Sequence, residues 1–150
     1  MVIYRAMTRD EREAAYAQVF NTAGAALARG DVAEWAMASE IGTEPGDLVG
    51  KSVVAGTADS THVAGVVRGL GIDNSANIPD NQFGVIQVGG FCDFLTITST
   101  DVTAGQLLKA AANADAAAAT VGTDGELAFA VALEAQTGLT LTACMLRGLI

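Results

Sequence analysis

The stretch Ala28-Arg29-Gly30-Asp31-Val32 decides the reading of this chain, because a similar one returns as Thr103-Ala104-Gly105-Gln106-Leu107-Leu108. In each, a glycine turn opens an apolar run. Each is followed, after a loop, by a second short apolar run: His62-Val63-Ala64-Gly65-Val66-Val67 in the first half and Ala128-Phe129-Ala130-Val131-Ala132-Leu133 in the second. The glycines at 30 and 105 lie 75 residues apart, and the closing runs, centred on 65 and 130, lie 65 apart. The first copy therefore carries about ten extra residues, and Gly42 to Lys51, with its Glu44-Pro45-Gly46-Asp47 turn, is the expected insert. Two copies of a strand–loop–strand unit point to a mainly β fold, a compact barrel-like domain built from a duplicated element.

Composition agrees with one such domain. The chain has 150 residues, enough for a core, and 51% hydrophobic residues exclude wholesale disorder. Much of that share is alanine and only 5% of the chain is aromatic, so the core is expected to be thin. Trp35 and the phenylalanines read as core. Seventeen glycines against two prolines indicate many glycine-set turns. Short apolar runs recur between such turns: Gln18–Asn21, Asp31–Met37, Leu48–Val54, Val63–Gly69, Phe83–Val88, Phe91–Ile97, Leu127–Leu133 and Leu139–Leu146. The polar stretch from Gly69 to Asn81 is expected to be an exposed connection joining the two halves.

Two places favour helix instead. Thr8 and Glu11 have the capping-box spacing, which predicts a short helix over Arg9–Ala17 behind an extended amino-terminal arm. Residues 1–17 thus read as an arm and 18–150 as the β domain. Ala104 to Ala119 is alanine-rich, but its first part aligns with Gly30-Asp31-Val32-Ala33, so strand is expected there and a short helical turn only over Asn113–Thr120.

Charge is unevenly spread. The net is −9, yet the first thirty residues carry four arginines against three acids. The remainder carries four basic and fourteen acidic groups. Such a body repels nucleic acid and anionic membrane, and no basic patch with interleaved aromatics is present to hold nucleic acid. Val2, Ile3 and Tyr4 beside Arg5, Arg9 and Arg12 make the arm the part suited to approach an acidic or apolar partner. No apolar leader opens the sequence and no run of 18 apolar residues occurs, so neither a signal peptide nor a membrane-spanning helix is expected.

Motifs for chemistry fail one by one. Cys92 and Cys144 lack zinc-site spacing and sit in apolar runs, as buried thiols do. Gly50-Lys51-Ser52 is like the end of a phosphate-binding loop, but Pro45 stands where its first glycine belongs. His62, the only histidine, lies near Asp59, Ser60 and Thr61, without a nucleophile-elbow sequence. Asp73, Asn74, Asn77, Asp80 and Asn81 are oxygen-rich but do not match the calcium-loop pattern. No catalytic residue, cofactor or metal is expected.

The run Val19-Phe20-Asn21-Thr22-Ala23-Gly24-Ala25-Ala26-Leu27-Ala28-Arg29-Gly30-Asp31-Val32 resembles the opening of the phage head-decoration, or capsid cement, proteins. The resemblance continues through Val63–Val67, Gly84–Gly90, Thr103–Leu108 and Phe129–Ala135, covering about residues 18–150. It implies a β-tulip fold, often trimeric, on the outer surface of a virion's capsid, with the major capsid protein as partner and no enzymatic activity. The arm, with Val2, Ile3, Tyr4, Arg5, Arg9 and Arg12, would then make the capsid contact. Another virion component, such as a tail or head-fibre base, is the alternative reading; a small carbohydrate-binding module comes after it.

Overall fold

A computed structural model describes residues 14–37, 50–98, 102–118, 128–135, 138–141 and 143–147. The chain is mainly β. Its strands are β1 (Ala14–Asn21), β2 (Val32–Trp35), β3 (Ser52–Ala55), β4 (Val63–Gly69), β5 (Phe83–Cys92), β6 (Leu95–Thr96), β7 (Leu107–Ala110), β8 (Ala116–Ala118), β9 (Ala130–Ala132), β10 (Thr140–Leu141) and β11 (Cys144–Leu146). One sheet takes the order β1-β3-β2-β4-β5-β11-β9-β7-β8, and β1 also pairs with β5. That extra pairing closes β1, β3, β2, β4 and β5 into a ring. The second half nearly repeats this: β5, β11, β9, β7 and β8 follow in order, and an isolated parallel bridge brings Ile97, just beyond β6, against Ala116 of β8. Closure removes the open edges that invite unwanted pairing.

The duplication holds residue by residue. Val32 faces Val66 and Ala33 faces Gly65 across β2 and β4; Leu107 faces Val131 and Leu108 faces Ala130 across β7 and β9. Trp35 pairs with Val53 as Ala110 pairs with Ala116. Val67 pairs with Ile86 as Ala132 pairs with Cys144. Ala17 pairs with Ile86 as Cys92 pairs with Cys144. The end of β5 is therefore the second copy's counterpart of β1, while the beginning of β5 closes the first copy. One ten-residue strand serves both rings. The expected breaks differ in one respect: Phe83–Val88 and Phe91–Cys92 form a single strand running through Gly89 and Gly90. The surplus length of the first copy falls between β2 and β3, where Trp35 to Val53 spans 18 positions and Ala110 to Ala116 spans 6. The proposed insert at Gly42–Lys51 lies mostly outside the described residues.

The two glycine turns are also the same turn. Asp31 N–H donates to the Ala28 carbonyl (3.1 Å), and Gln106 N–H to the Thr103 carbonyl (3.2 Å). In return, Ala28 N–H donates to the Asp31 carboxylate (2.8 Å) and Thr103 N–H to the Gln106 side-chain oxygen (2.7 Å). Gly30 N–H donates to the Val67 carbonyl (2.9 Å), as Gly105 N–H does to that of Ala132 (2.8 Å). Both glycines have positive φ, 95° and 86°, which a side chain resists.

Two hydrophobic clusters follow from two rings. Val19, Leu27, Val53, Ile78, Ile86 and Val88 fill the first. The second contains Leu108, Phe129, Leu141 and Leu146 with many alanines, and it also takes in Val32, Val63 and Val66. Those three valines come from strands of the first ring, so the rings pack on each other.

Three expectations are corrected. Ala14 to Ala17, the described part of the predicted Arg9–Ala17 helix, is strand: it pairs with β5 from Gly90 to Ile86, and pairing overrides local propensity. Residues 9–13 lie outside the described residues. The helical turn expected over Asn113–Thr120 is confined to a 3-10 turn at Ala112–Ala114, with left-handed Asn113 and Ala114, and after Asp115 the chain enters β8; residues 119 and 120 lie outside the described residues. The Gly69–Asn81 connection links β4 to β5 within the first copy rather than joining the copies. It is largely exposed, but Ile78 within it is fully buried.

One difference between the turns is decisive. A Cβ on Gly30 would sit 2.5 Å from both the Phe94 carbonyl oxygen and the Thr96 hydroxyl, whereas a Cβ on Gly105 meets nothing within 4 Å. Gly105→Ala should therefore cost only the left-handed penalty of roughly 1–2 kcal/mol. Gly30→Ala should cost that plus the overpacking of a ring junction, roughly 3 kcal/mol or more in total. Denaturant titration of the two variants checks this; equal losses would show that Gly30 is not wedged between the rings.

Candidate functional site

Where the rings meet, two arginines 39 residues apart converge on one phenylalanine. Arg29 leaves the first glycine turn and Arg68 leaves β4. The Arg29 guanidinium lies 4.1 Å from the centre of the Phe94 ring and that of Arg68 lies 5.1 Å from it. Arg68 also lies 5.6 Å from the Tyr16 ring. Arg68 Nε donates to the Ile72 carbonyl (2.9 Å), and Arg29 Nη1 donates to the Arg68 carbonyl (3.4 Å). Arg68 is only 8% exposed. Its stem is packed and its charge is held by ring faces and carbonyl dipoles, an arrangement that keeps a guanidinium rigid.

Both arginines line an open cleft of about 360 Å³ with Ile72, Asp73 and Ser75. In a body of strongly negative net charge, this is a local concentration of positive charge. Two planar guanidinium groups beside a hydroxyl suit a carboxylate or another oxyanion. Sequence reasoning did not find the cleft, since Arg29 and Arg68 sit in different elements. The one signal was a charged residue inside the apolar run Val63–Gly69.

A second polar cluster holds the β3–β4 loop. Glu34 is buried on β2 and accepts hydrogen bonds from the Thr57 N–H and hydroxyl, both at 3.0 Å. His62 Nε2 lies 3.6 Å from the other carboxylate oxygen. Burial pushes the Glu34 carboxyl up, but the Ser60 hydroxyl, the Thr57 donors and His62 together outweigh it and hold it below its ordinary value of 4.5. The Ser60 hydroxyl oxygen accepts the backbone N–H of His62 (3.3 Å). Asp59 pairs with Lys109 of β7 (2.7 Å), and its N–H donates to the Ala110 carbonyl (3.1 Å). The Asp59/Ser60/His62 neighbourhood is therefore a staple between loop and rings, with the His62 ring turned to the Glu34 carboxylate.

Asn74 and Asp80 of the oxygen-rich loop are likewise used within the protein. Asn74 accepts the Ala76 N–H (3.1 Å), and Asp80 accepts the Gly24 N–H (2.9 Å) and the Asn81 amide (3.0 Å). Among the described residues no group of three His, Cys, Asp or Glu could hold a metal ion, and no helix is long and apolar enough to cross a membrane. Val2, Ile3, Tyr4, Arg5, Arg9 and Arg12, the expected contact residues, lie outside the described residues.

No family model matches the chain, and no curated protein does. Among solved structures it is similar to the N base of the head fibre gp8.5 in bacteriophage phi29. The two superpose with a TM-score of 0.54 over 89% of this chain and 95% of that one, at 9% sequence identity. At that identity the likeness is one of fold.

The staple gives a pH test. A carboxyl held below its unfolded value stabilises the fold above that value, and the contribution is lost as pH falls through the folded one. The stability difference between the parent and Glu34→Gln should therefore be full near neutral pH and shrink below about pH 4.5, as followed by denaturation at several pH values. A difference that stays constant into the acid range would remove the ionised staple.

Proposed function

We propose that this chain is a non-enzymatic virion protein that sits on the outer surface of a phage capsid, binds the major capsid protein there and reinforces the shell. The observation that carries the reading is a fold shared, over nearly the whole of both chains, with the base of a phage head fibre. The sequence resemblance to capsid cement proteins points to the same setting. The chemistry is compatible: the Glu34 and Asp59 clusters described above are used to hold the protein's own loop.

Cementing needs a rigid fold and many weak contacts. The two closed rings supply rigidity. The arm, through Val2, Ile3, Tyr4, Arg5, Arg9 and Arg12, is the proposed first contact, because it can approach an acidic or apolar surface that the acidic body would avoid. In a homo-oligomer, a trimer on this reading, a modest affinity per arm becomes strong avidity once one subunit is seated. Binding only the assembled shell then stabilises it by mass action. The second reading, a head-fibre base, is favoured by the same fold likeness and differs in what the protein carries outward.

The test is sedimentation of purified protein with capsids that lack it, followed by imaging. The intact chain should co-sediment and saturate. Deletion of residues 2–12 should raise the concentration needed for half-occupancy about tenfold or more, the equivalent of about 1.4 kcal/mol per site. Copies spread over the lattice support a cement, and isolated sites bearing projections support a fibre base. A truncated protein that folds and decorates as fully as the intact one would overturn the arm's role; an intact protein that binds no shell would overturn the reading itself.

A further inference from the structure

Cys92 and Cys144, the chain's two cysteines, stand directly opposite each other on β5 and β11. Both are fully buried and both are free thiols. The Cys144 thiol leans across to β5, its Sγ 3.4 Å from the Cys92 carbonyl oxygen. Opposed residues in antiparallel strands have Cα atoms about 4.5–5.5 Å apart, inside the window of about 4.4–6.8 Å that disulfides span. The register alone brings the two cysteines within bridging range, and a small closing of the strand pair would complete the geometry. We propose that Cys92 and Cys144 are a latent cross-strand disulfide, a site of oxidative modification that locks β11 to the strand shared by both rings.

The location gives the bond its effect. Among the described residues β5 is the strand common to the two rings, and β11 is its partner in the second. The bond would close a loop between positions 52 apart, so it removes freedom mainly from the unfolded chain. It would also tie down a strand of only three residues. The hydrogen bond with Cys92, and then burial, push the Cys144 thiol up, so this thiol stays protonated and unreactive while the ring is shut. Oxidation thus waits for β11 to lift transiently, and should be slow.

The step balances with a small disulfide as oxidant, such as oxidised glutathione. One protein thiolate attacks the oxidant's S–S bond, forming a mixed disulfide and releasing one glutathione thiol. The second protein thiolate attacks that mixed bond, forming the protein S–S bond and releasing the other glutathione thiol. The two protein thiols lose two electrons and two protons in all, and the oxidant takes them up. The physiological sense rests on the proposed function. A virion protein is made in a reducing cytoplasm and works outside the cell, where disulfides persist; the lock would then form after release. The chemistry itself does not depend on that reading.

The test uses the intact, purified chain and no capsid, so its outcome is separate from that of the decoration assay. Reduced protein is incubated with oxidised glutathione, then analysed by thiol titration, intact mass, peptide mapping and thermal unfolding. Both thiols should disappear together, with loss of two hydrogens per chain and one linked peptide pair containing Cys92 and Cys144. The unfolding midpoint should rise by several degrees and return on reduction. Cys92→Ala and Cys144→Ala should lack the rise. Two thiols still titratable after prolonged oxidation, stable mixed disulfides, linkage between chains, or a midpoint that falls would each overturn the proposal. Because the parent chain alone gives the decisive readout, it holds even if an alanine variant folds poorly.

Discussion

The double use of β5 is the constraint on which this fold depends. Its first half completes one ring of strands and its second half begins the next, so neither ring can form without fixing the other's starting point. The junction leaves no slack. Gly30 hands its N–H to Val67 in its own ring and accepts the Thr96 N–H from the other (3.1 Å), with no room for a side chain between them. The ring–ring contact is therefore built partly from backbone hydrogen bonds, which are directional, and partly from Val32, Val63 and Val66, which are not. That combination fixes the relative position of the rings more firmly than apolar packing alone.

The same geometry accounts for the composition. A ring of so few strands has a narrow interior, and close packing there calls for small side chains with a few large ones. The second ring uses Ala110, Ala116, Ala130 and Ala132 beside Phe129 and Leu108. Alanine richness, which in isolation favours helix, is here the filling of a tight β interior.

Much of this was legible in the sequence, and the reason is specific. The glycine turns and the runs that answer them are local features, and their offsets of 75 and 65 are reproduced by the strand register. The expectation of strand at Leu107 and Leu108 held against propensity because the alignment with Gly30-Asp31-Val32 carried more information than the alanines. Where local signals had no repeat to check them, they misled. Ala14 to Ala17 carry no sign that they pair with β5, and nothing marks Gly89 and Gly90 as a strand interior instead of a turn. The arginine cleft was invisible for a different reason: Arg29 and Arg68 meet only because two rings pack, and no spacing rule encodes that. The arm proposed to dock lies outside the described residues.

The central claim is that the two halves are copies of one ring closed through a common strand, and amide hydrogen exchange addresses it directly. The account predicts that the amides of Gly30 and Val67, and their counterparts Gly105 and Ala132, are all strongly protected, since each donates to a backbone carbonyl of its own ring. Gly30 and Gly105 at the same turn should then differ from unpaired loop amides in the same sense. Protection confined to Gly30 and Val67, with Gly105 and Ala132 exchanging as fast as an unstructured peptide, would contradict a second closed ring.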